Sequence, residues 1–118
     1  MAARETPRYI ALTPVKTDRR ADFESFLREV VVPAVDEVRP DLRDMWEALR
    51  PAETADGGDE NYALLFYGEA SLQDWDLPTL LTAAYGEEDG ARRFEEFVQL
   101  LSGDQLVGGF SGNLREAT

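Results

Sequence analysis

The chain of 118 residues contains neither cysteine nor histidine. Without cysteine it can form no disulfide, offer no thiol nucleophile and ligate no iron–sulfur cluster. Without histidine it lacks the base of Ser-His-Asp and Cys-His enzymes, the usual haem ligand and the commonest ligand of catalytic zinc. Acid–base catalysis would therefore depend on carboxylates, tyrosines or the single lysine, Lys16. We expect no metal and no cofactor.

Basic residues are also scarce, with 12 against 24 acidic residues and a net charge of −12. Nucleic acids and anionic membranes repel such a chain unless its bases are clustered, and here they are scattered. No apolar run is long enough for a membrane-spanning helix, and residues 1–7 lack the apolar core of a signal peptide. We therefore expect a cytoplasmic protein that binds neither nucleic acid nor membrane.

The length and composition are those of one globular domain, covering residues 1–118, with a hydrophobic fraction of 43% and a charged fraction of 31%. The first half predicts a strand over residues 8–15, a long helix, a strand over 44–50, a loop over 53–60 and a strand over 61–68. Thr17 or Asp18 is placed to cap the helix, Pro33 to kink it and Pro40 to end it. The helix shows apolar residues at a 3.6-residue spacing: Phe23, Phe26, Leu27, Val30, Val31, Ala34, Val35 and Val38.

The second half predicts a helix, an interruption, a further helix and a last strand over residues 105–111. Asp76 is placed to cap the first of these helices, and Gly86 interrupts the pattern before the second. Gly103 is placed to end the second helix. The predicted apolar positions are Leu77, Leu80, Leu81, Ala84 and Tyr85 in the first helix, and Ala91, Phe94, Phe97, Val98 and Leu101 in the second.

The resulting order, β-α-β-β-α-β, is that of the ferredoxin-like α+β fold, a four-stranded antiparallel sheet with the helices on one face. Right-handed crossovers favour the strand order 4-1-3-2.

Both faces of the predicted sheet are apolar, although the helices can cover only one. Alternation along the third strand places Tyr62, Leu64 and Phe66 on one face, and Ala63, Leu65 and Tyr67 on the other. A second copy of the sheet would cover the free face, which predicts a homodimer through the sheet faces. The alternative is a monomer whose free face is exposed or covered by the chain termini.

The element order, the length and the two-sided apolar strands resemble the dimeric α+β-barrel superfamily, whose members include antibiotic-biosynthesis monooxygenase-like and ethyl tert-butyl ether degradation-type proteins. The resemblance covers residues 8–111 and is one of pattern, without a sharp motif. It implies that two sheets face each other and that small organic ligands bind between sheet and helices. The haem-binding branches use a histidine ligand that this chain lacks, whereas the cofactor-free oxygenases place Trp, Asn, Tyr and Arg around an aromatic substrate.

Six residues are candidates for lining a pocket: Trp46, Glu47, Tyr62, Tyr67, Trp75 and Tyr85. Trp46 would form a wall with Glu47 as a desolvated base; alternatively, Trp46 packs in the core and Glu47 lies in solvent. In Asp74-Trp75-Asp76 the carboxylates could hold a metal, but capping by Asp76 and core packing by Trp75 explain the motif without one.

The remaining candidates are aromatic, and each of them could simply pack in the core. Trp75 and Tyr85 could instead close the mouth of a pocket beside the break at Gly86. Each tyrosine is expected to be a core or pocket-wall aromatic more readily than a catalytic acid.

Two functions remain open, and the sequence indicates no catalytic residue. The first is a protein that binds an apolar or aromatic small molecule and could act as a cofactor-independent monooxygenase, cyclase or isomerase on a polyketide-like or phenolic substrate. The second is a non-catalytic ligand-binding or protein-interaction module.

Overall fold

In the computed structural model, which describes residues 8–51, 60–68 and 71–110, four antiparallel strands form one sheet. The strands are β1 (Arg8–Val15), β2 (Trp46–Leu49), β3 (Glu60–Phe66) and β4 (Leu106–Phe110). They lie in the order β2-β3-β1-β4, which confirms the predicted topology. The predicted loop over 53–60 falls outside the described residues except for its last residue, which begins β3.

Helices connect the strands on one side of the sheet. They are α1 (Arg20–Phe26), α2 (Val32–Val38), α3 (Leu77–Tyr85) and α4 (Glu87–Leu100). Short 3-10 turns occur at Thr17–Arg19, Pro40–Leu42 and Leu72–Trp75. No helix in the described ranges is long and apolar enough to cross a membrane.

Between α1 and α2 the backbone forms a π-helical turn, Leu27–Val31, whose wider winding continues one helix into the next. The Val32 N–H donates to the Leu27 carbonyl, five residues back, instead of the usual four. Pro33, which has no N–H to donate, follows immediately in the first turn of α2. Pro33, where the sequence predicts a kink, is thus directly preceded by a π turn that continues the helix.

The predicted cap of the first helix is wrong. Thr17 and Asp18 lie inside a 3-10 turn that runs directly into α1, and no side-chain hydrogen bond caps either segment. The chain just before this helix is held instead by a hydrogen bond to a distant segment, since the Lys16 N–H donates to the Leu100 carbonyl at 3.0 Å.

The cap of α3 is confirmed. Asp76 Oδ2 accepts hydrogen bonds from the Thr79 N–H at 3.2 Å and the Thr79 hydroxyl at 2.6 Å. Gly86, with φ of 94°, separates α3 from α4 in a conformation that favours glycine.

The predicted cap of α4 at Gly103 is wrong, because the C-cap residue is Leu101. The helix ends at Leu100, and Leu101 is extended because it forms a β-bridge with Val15. The Ser102 N–H also donates to the Pro14 carbonyl at 2.9 Å. Pairing with β1 thus ends the helix before a glycine cap is needed.

Two predicted core positions of α4 are also wrong. Ala91 and Val98 are exposed, while Gly90 and Leu100 are buried instead. Gly90 is buried because α4 crosses α3 closely there: a Cβ on Gly90 would lie 2.7 Å from the Thr82 Cα.

The core lies between the helices and one face of the sheet. The register pairs Ala11 with Leu64 and Thr13 with Tyr62, and all four are buried. The Tyr62 ring packs 4.7 Å from the Phe23 ring of α1, measured between centroids. Alternation along β3 is therefore as predicted, with Tyr62, Leu64 and Phe66 on the helix-facing side.

The opposite face of the sheet, here called the free face, carries apolar side chains from all four strands. The register places Ile10, Leu12, Leu49, Ala63, Leu65, Leu106 and Phe110 on it. Exposure reaches 39% for Leu12, 57% for Phe110 and 70% for Leu106. Tyr67 also lies here, and its hydroxyl donates to Glu47 Oε1 at 2.7 Å. The two-sided apolar character expected of the sheet is thus confirmed.

Candidate functional site

A cavity of about 320 Å³, here called the inner cavity, lies between the helix-facing side of the sheet and the helices. Its size is at the lower end of the range for small-molecule sites. The strands and helices both line it with apolar residues, because each presents its inward-facing positions to the same space. These include Ala11, Leu64, Phe66 and Val107 from the strands, and Leu27, Val31, Val35, Leu80, Phe94 and Phe97 from the helices.

Two tryptophans complete the inner cavity. Trp46 begins the edge strand β2 and is half-buried, whereas Trp75 ends a 3-10 turn and is only 7% exposed. The Trp75 ring packs against Phe66, with 4.8 Å between ring centroids.

The turn that carries Trp75 is fixed by Asp74. The Asp74 carboxylate accepts hydrogen bonds from the Ser71 N–H at 2.8 Å and from Arg39 at 3.1 Å. These contacts, the Ser71 hydrogen bond foremost, lower the pKa of Asp74. Asp74 is therefore a structural carboxylate that positions Trp75, and Asp76 is the cap of α3. The predicted roles of Asp76 as a cap and of Trp75 as a packed core residue agree with these contacts.

The indole N–H of Trp75 is buried and has no hydrogen-bond partner among the described residues. Buried indole N–H groups normally find an acceptor, because leaving the donor unpaired costs about 1–3 kcal/mol. The other polar side chains that line the cavity are already engaged. Gln105 Nε2 donates to the Thr13 hydroxyl at 2.9 Å, and Asp76 accepts from Thr79. The Trp75 N–H is thus a buried donor without a partner among the described residues, on a side chain that lines the inner cavity.

A second space, here called the outer groove, lies between the edge strand β2 and the continuous helix formed by α1, the π turn and α2. Its volume is about 660 Å³. Unlike the inner cavity it is lined by many charged side chains: Glu24, Arg28, Asp36, Arg43, Glu47 and Arg50. Leu27, Val32, Leu49 and Tyr62 also contribute.

Glu24 is the centre of a hydrogen-bonded cluster at one end of this groove. Arg50 Nη2 donates to Glu24 Oε1 at 2.7 Å, and the Tyr62 hydroxyl donates to Glu24 Oε2 at 2.5 Å. These two contacts, Arg50 first, lower the pKa of Glu24 to about 2. Burial, followed by the bond to Glu24, raises the pKa of Tyr62. Near neutral pH the carboxylate is therefore ionised and the phenol protonated, so the pair is a structural link and not a proton relay.

The structure distributes the six predicted pocket residues over different places. Trp46 lines both spaces, Trp75 lines the inner cavity, and Glu47 and Tyr62 line the outer groove. Glu47 is exposed, so it lacks the desolvation expected of a general base.

The remaining two of the six line neither space. Tyr67 lies on the free face, where its hydrogen bond to Glu47 raises its pKa. Tyr85 packs under the Arg93 guanidinium, 4.4 Å from the ring centroid, and its hydroxyl donates to the Val30 carbonyl at 2.8 Å.

Several lining residues were not predicted from the sequence. Leu27 and Arg28 lie in the π turn, which the regular helical pattern does not indicate. Gln105 and Val107 reach the inner cavity because β4 pairs with β1, and strand alternation could have placed Val107 there. Among the described residues, no group of three or more carboxylates is arranged to hold a metal ion.

Comparison with known proteins finds similarity at the level of structure only. No protein-family model and no curated protein matches the sequence. A candidate antibiotic biosynthesis monooxygenase from Nitrosomonas europaea is 11% identical with a TM-score of 0.56, covering 90% of this chain and 97% of that one. Another from Caulobacter crescentus is 12% identical with a TM-score of 0.51, covering 94% and 92%.

A dimeric ferredoxin-like protein of unknown function from Thermobifida fusca is 16% identical with a TM-score of 0.51, covering 90% of both chains. At these identities the similarity concerns the fold and not the activity. The chain therefore has the ferredoxin-like α+β fold of these proteins, as the resemblance predicted.

Proposed function

We propose that this protein binds an apolar or aromatic small molecule in the inner cavity. The observation that carries the proposal is the inner cavity itself, a space of about 320 Å³ lined mainly by aliphatic and aromatic side chains. Trp75, whose buried N–H has no partner among the described residues, contributes to this lining. A ligand with an aromatic body would fill this space, and pairing with the Trp75 N–H would require the indole to turn towards it, because the N–H is closed to solvent. Small-molecule sites commonly combine an apolar lining with a few placed polar groups in this way.

A cavity-filling substitution tests this proposal. Ala11 lines the inner cavity, so Ala11→Leu places a larger side chain inside it. Ala21→Leu adds the same group to an exposed position of α1 and is the matched control. In a thermal-shift screen of aromatic and polyketide-like compounds, we expect ligands to raise the melting temperature of the wild type and of Ala21→Leu, but not of Ala11→Leu. The proposal is wrong if no compound stabilises the wild type, or if Ala11→Leu responds equally.

We also propose that the working unit is a homodimer in which two free faces pack together. The support is the apolar free face, together with the dimeric state named for the Thermobifida fusca protein of the same fold. On the sequence grounds given above, the proposal places this dimer in the cytoplasm.

A charge on the free face tests the dimer. The wild type should sediment at about 26 kDa, twice the 13.2 kDa of one chain. Leu12→Lys should produce monomers, because it buries an unpaired ammonium in the interface. Val98→Lys, on the exposed side of α4, should leave the mass unchanged. A 13.2 kDa wild-type species at micromolar concentration would contradict the dimer.

The second candidate is catalysis on the bound ligand, as a cofactor-independent monooxygenase, cyclase or isomerase. Support comes from the two solved structures of this fold that are candidate antibiotic biosynthesis monooxygenases. The test is oxygen uptake and product analysis with a ligand that the inner cavity binds. Conversion that Ala11→Leu abolishes would support catalysis, whereas binding without conversion would leave a ligand-binding or interaction module.

A further inference from the structure

The inner cavity and the outer groove meet at two side chains. Leu27, in the π turn, and Trp46, at the start of β2, line both spaces. Trp46 is half-buried at the start of the four-residue edge strand, where it pairs with Phe66 of β3. A ligand in the inner cavity therefore has the outer groove beside it.

The two spaces differ in chemistry. The inner cavity is lined mainly by aliphatic and aromatic residues, whereas the groove carries carboxylates and guanidinium groups. All the groove carboxylates already have donors. Glu24 accepts from Arg50 and Tyr62, Asp36 lies 3.3 Å from Arg43, and Glu47 accepts from Tyr67.

Arg28 is the exception in this pattern of pairs. It lines the groove and is exposed, and it forms no ion pair or hydrogen bond with any of the described residues. Its planar guanidinium presents several N–H donors in a geometry that matches a carboxylate. The groove lining carries three guanidinium groups and three carboxylates, so its formal charge is zero. Arg28 is the guanidinium of this lining that has no carboxylate partner among the described residues, in a chain whose net charge is −12.

We propose that the ligand is an aromatic carboxylate, with its apolar body in the inner cavity and its carboxylate bound by Arg28 in the outer groove. The inference rests on the proposed function, because it adds the polar half of the same ligand. The overall negative charge repels anions, so a preference for a carboxylate would have to come from a local cation. Tighter binding of a carboxylate than of its neutral analogue would therefore indicate a cation at the site.

Tryptophan fluorescence can report binding at this site, because both tryptophans of the chain line the inner cavity. The probes are 2-naphthoate and its neutral analogue 2-naphthamide, which have nearly the same size. Arg28→Gln removes the proposed partner. Arg92→Gln removes the same charge from α4, where Arg92 pairs with Asp89 and Glu96, and is the matched control.

We expect naphthoate to bind the wild type more tightly than naphthamide at an ionic strength of about 0.15 M. Arg28→Gln should weaken naphthoate binding about two- to fivefold, the range for a partly exposed ion pair, and leave naphthamide binding unchanged. Arg92→Gln should keep the wild-type preference.

Two failures can be told apart. Equal affinity for both compounds, or an equal loss in Arg28→Gln and Arg92→Gln, overturns the carboxylate inference and leaves the cavity as a binding site. No fluorescence change with either compound overturns the carboxylate inference, and the proposed function is overturned with it only if no compound of the thermal-shift screen stabilises the wild type.

Discussion

The ion pair between Glu24 and Arg50 should make the fold sensitive to acid in a way that one substitution can isolate. Glu24 joins α1 to β3 through Tyr62 and to the end of β2 through Arg50. Glu24→Gln keeps an oxygen that can accept from Tyr62 but removes the negative charge. The substitution therefore tests the charge and not the packing.

The magnitude follows from the pKa. The pKa of Glu24 falls from 4.5 to about 2. Each unit corresponds to about 1.4 kcal/mol, which gives an upper limit of about 3 kcal/mol. The Arg50 side chain is 69% exposed, although that of Glu24 is only 20% exposed, so solvent screens the pair. We therefore expect a contribution of about 1–2 kcal/mol to the free energy of unfolding.

The direction of the pH dependence of stability follows from the lowered pKa of Glu24. Because the folded state holds this proton less tightly than the unfolded state, the stabilisation is fully present above about pH 4.5 and is lost as the pH falls towards about 2.

Urea unfolding of wild type and Glu24→Gln, at equal protein concentration, measures the effect. The difference in unfolding free energy should be about 1–2 kcal/mol at about pH 7 and should shrink steadily below about pH 4.5. Glu29→Gln is the control, because Glu29 is exposed on the same helical segment and forms no pair with a described residue. A difference that is absent near neutral pH, or that does not change with pH, would refute the reasoning.

Two further predictions concern α3 and α4, and each compares the unfolding free energy of two variants. Gly90→Ala should destabilise by about 1–2 kcal/mol, since overpacking against Thr82 outweighs the gain in helix propensity. Gly103→Ala, whose new Cβ would make only an ordinary 3.8 Å contact, should be neutral, and equal stability of the two variants would contradict the close crossing. Asp76→Ala should cost about 1 kcal/mol by removing the cap of Thr79, and Asp76→Asn should recover most of it; a loss that Asn does not reduce would count against capping.

Local periodicity predicted the architecture because burial and backbone geometry repeat over neighbouring residues. The alternation around Tyr62 and the stripe that begins at Phe23 are such patterns, and both occupy the predicted faces. The ends of the helices were less predictable. Thr17 and Gly103 have the residue types of caps, but pairing of the adjacent backbone with distant segments decided those ends.

The candidate site was harder still to predict, because it is formed by contacts between distant parts of the chain. Trp75 and Trp46 are predicted as pocket candidates from their residue type. They share the inner cavity only because the fold brings the start of β2 and the Leu72–Trp75 turn to the same space. Arg28 appears in the sequence as one more charged residue on the exposed side of a helix. Its lack of a partner can be seen only when the neighbouring pairs are placed in space.

The π turn at Leu27–Val31 bears on how the length of this chain could change during evolution. An i→i+5 turn holds one residue more than a regular turn, so deletion of a single residue there could restore a continuous α-helix. The faces of α1 and α2 would stay aligned, and Phe23 and Val35 would remain in the core. The same deletion would alter the wall that Leu27 gives to both the cavity and the groove. A one-residue change in this helix could therefore reshape the ligand site while leaving the rest of the domain in register.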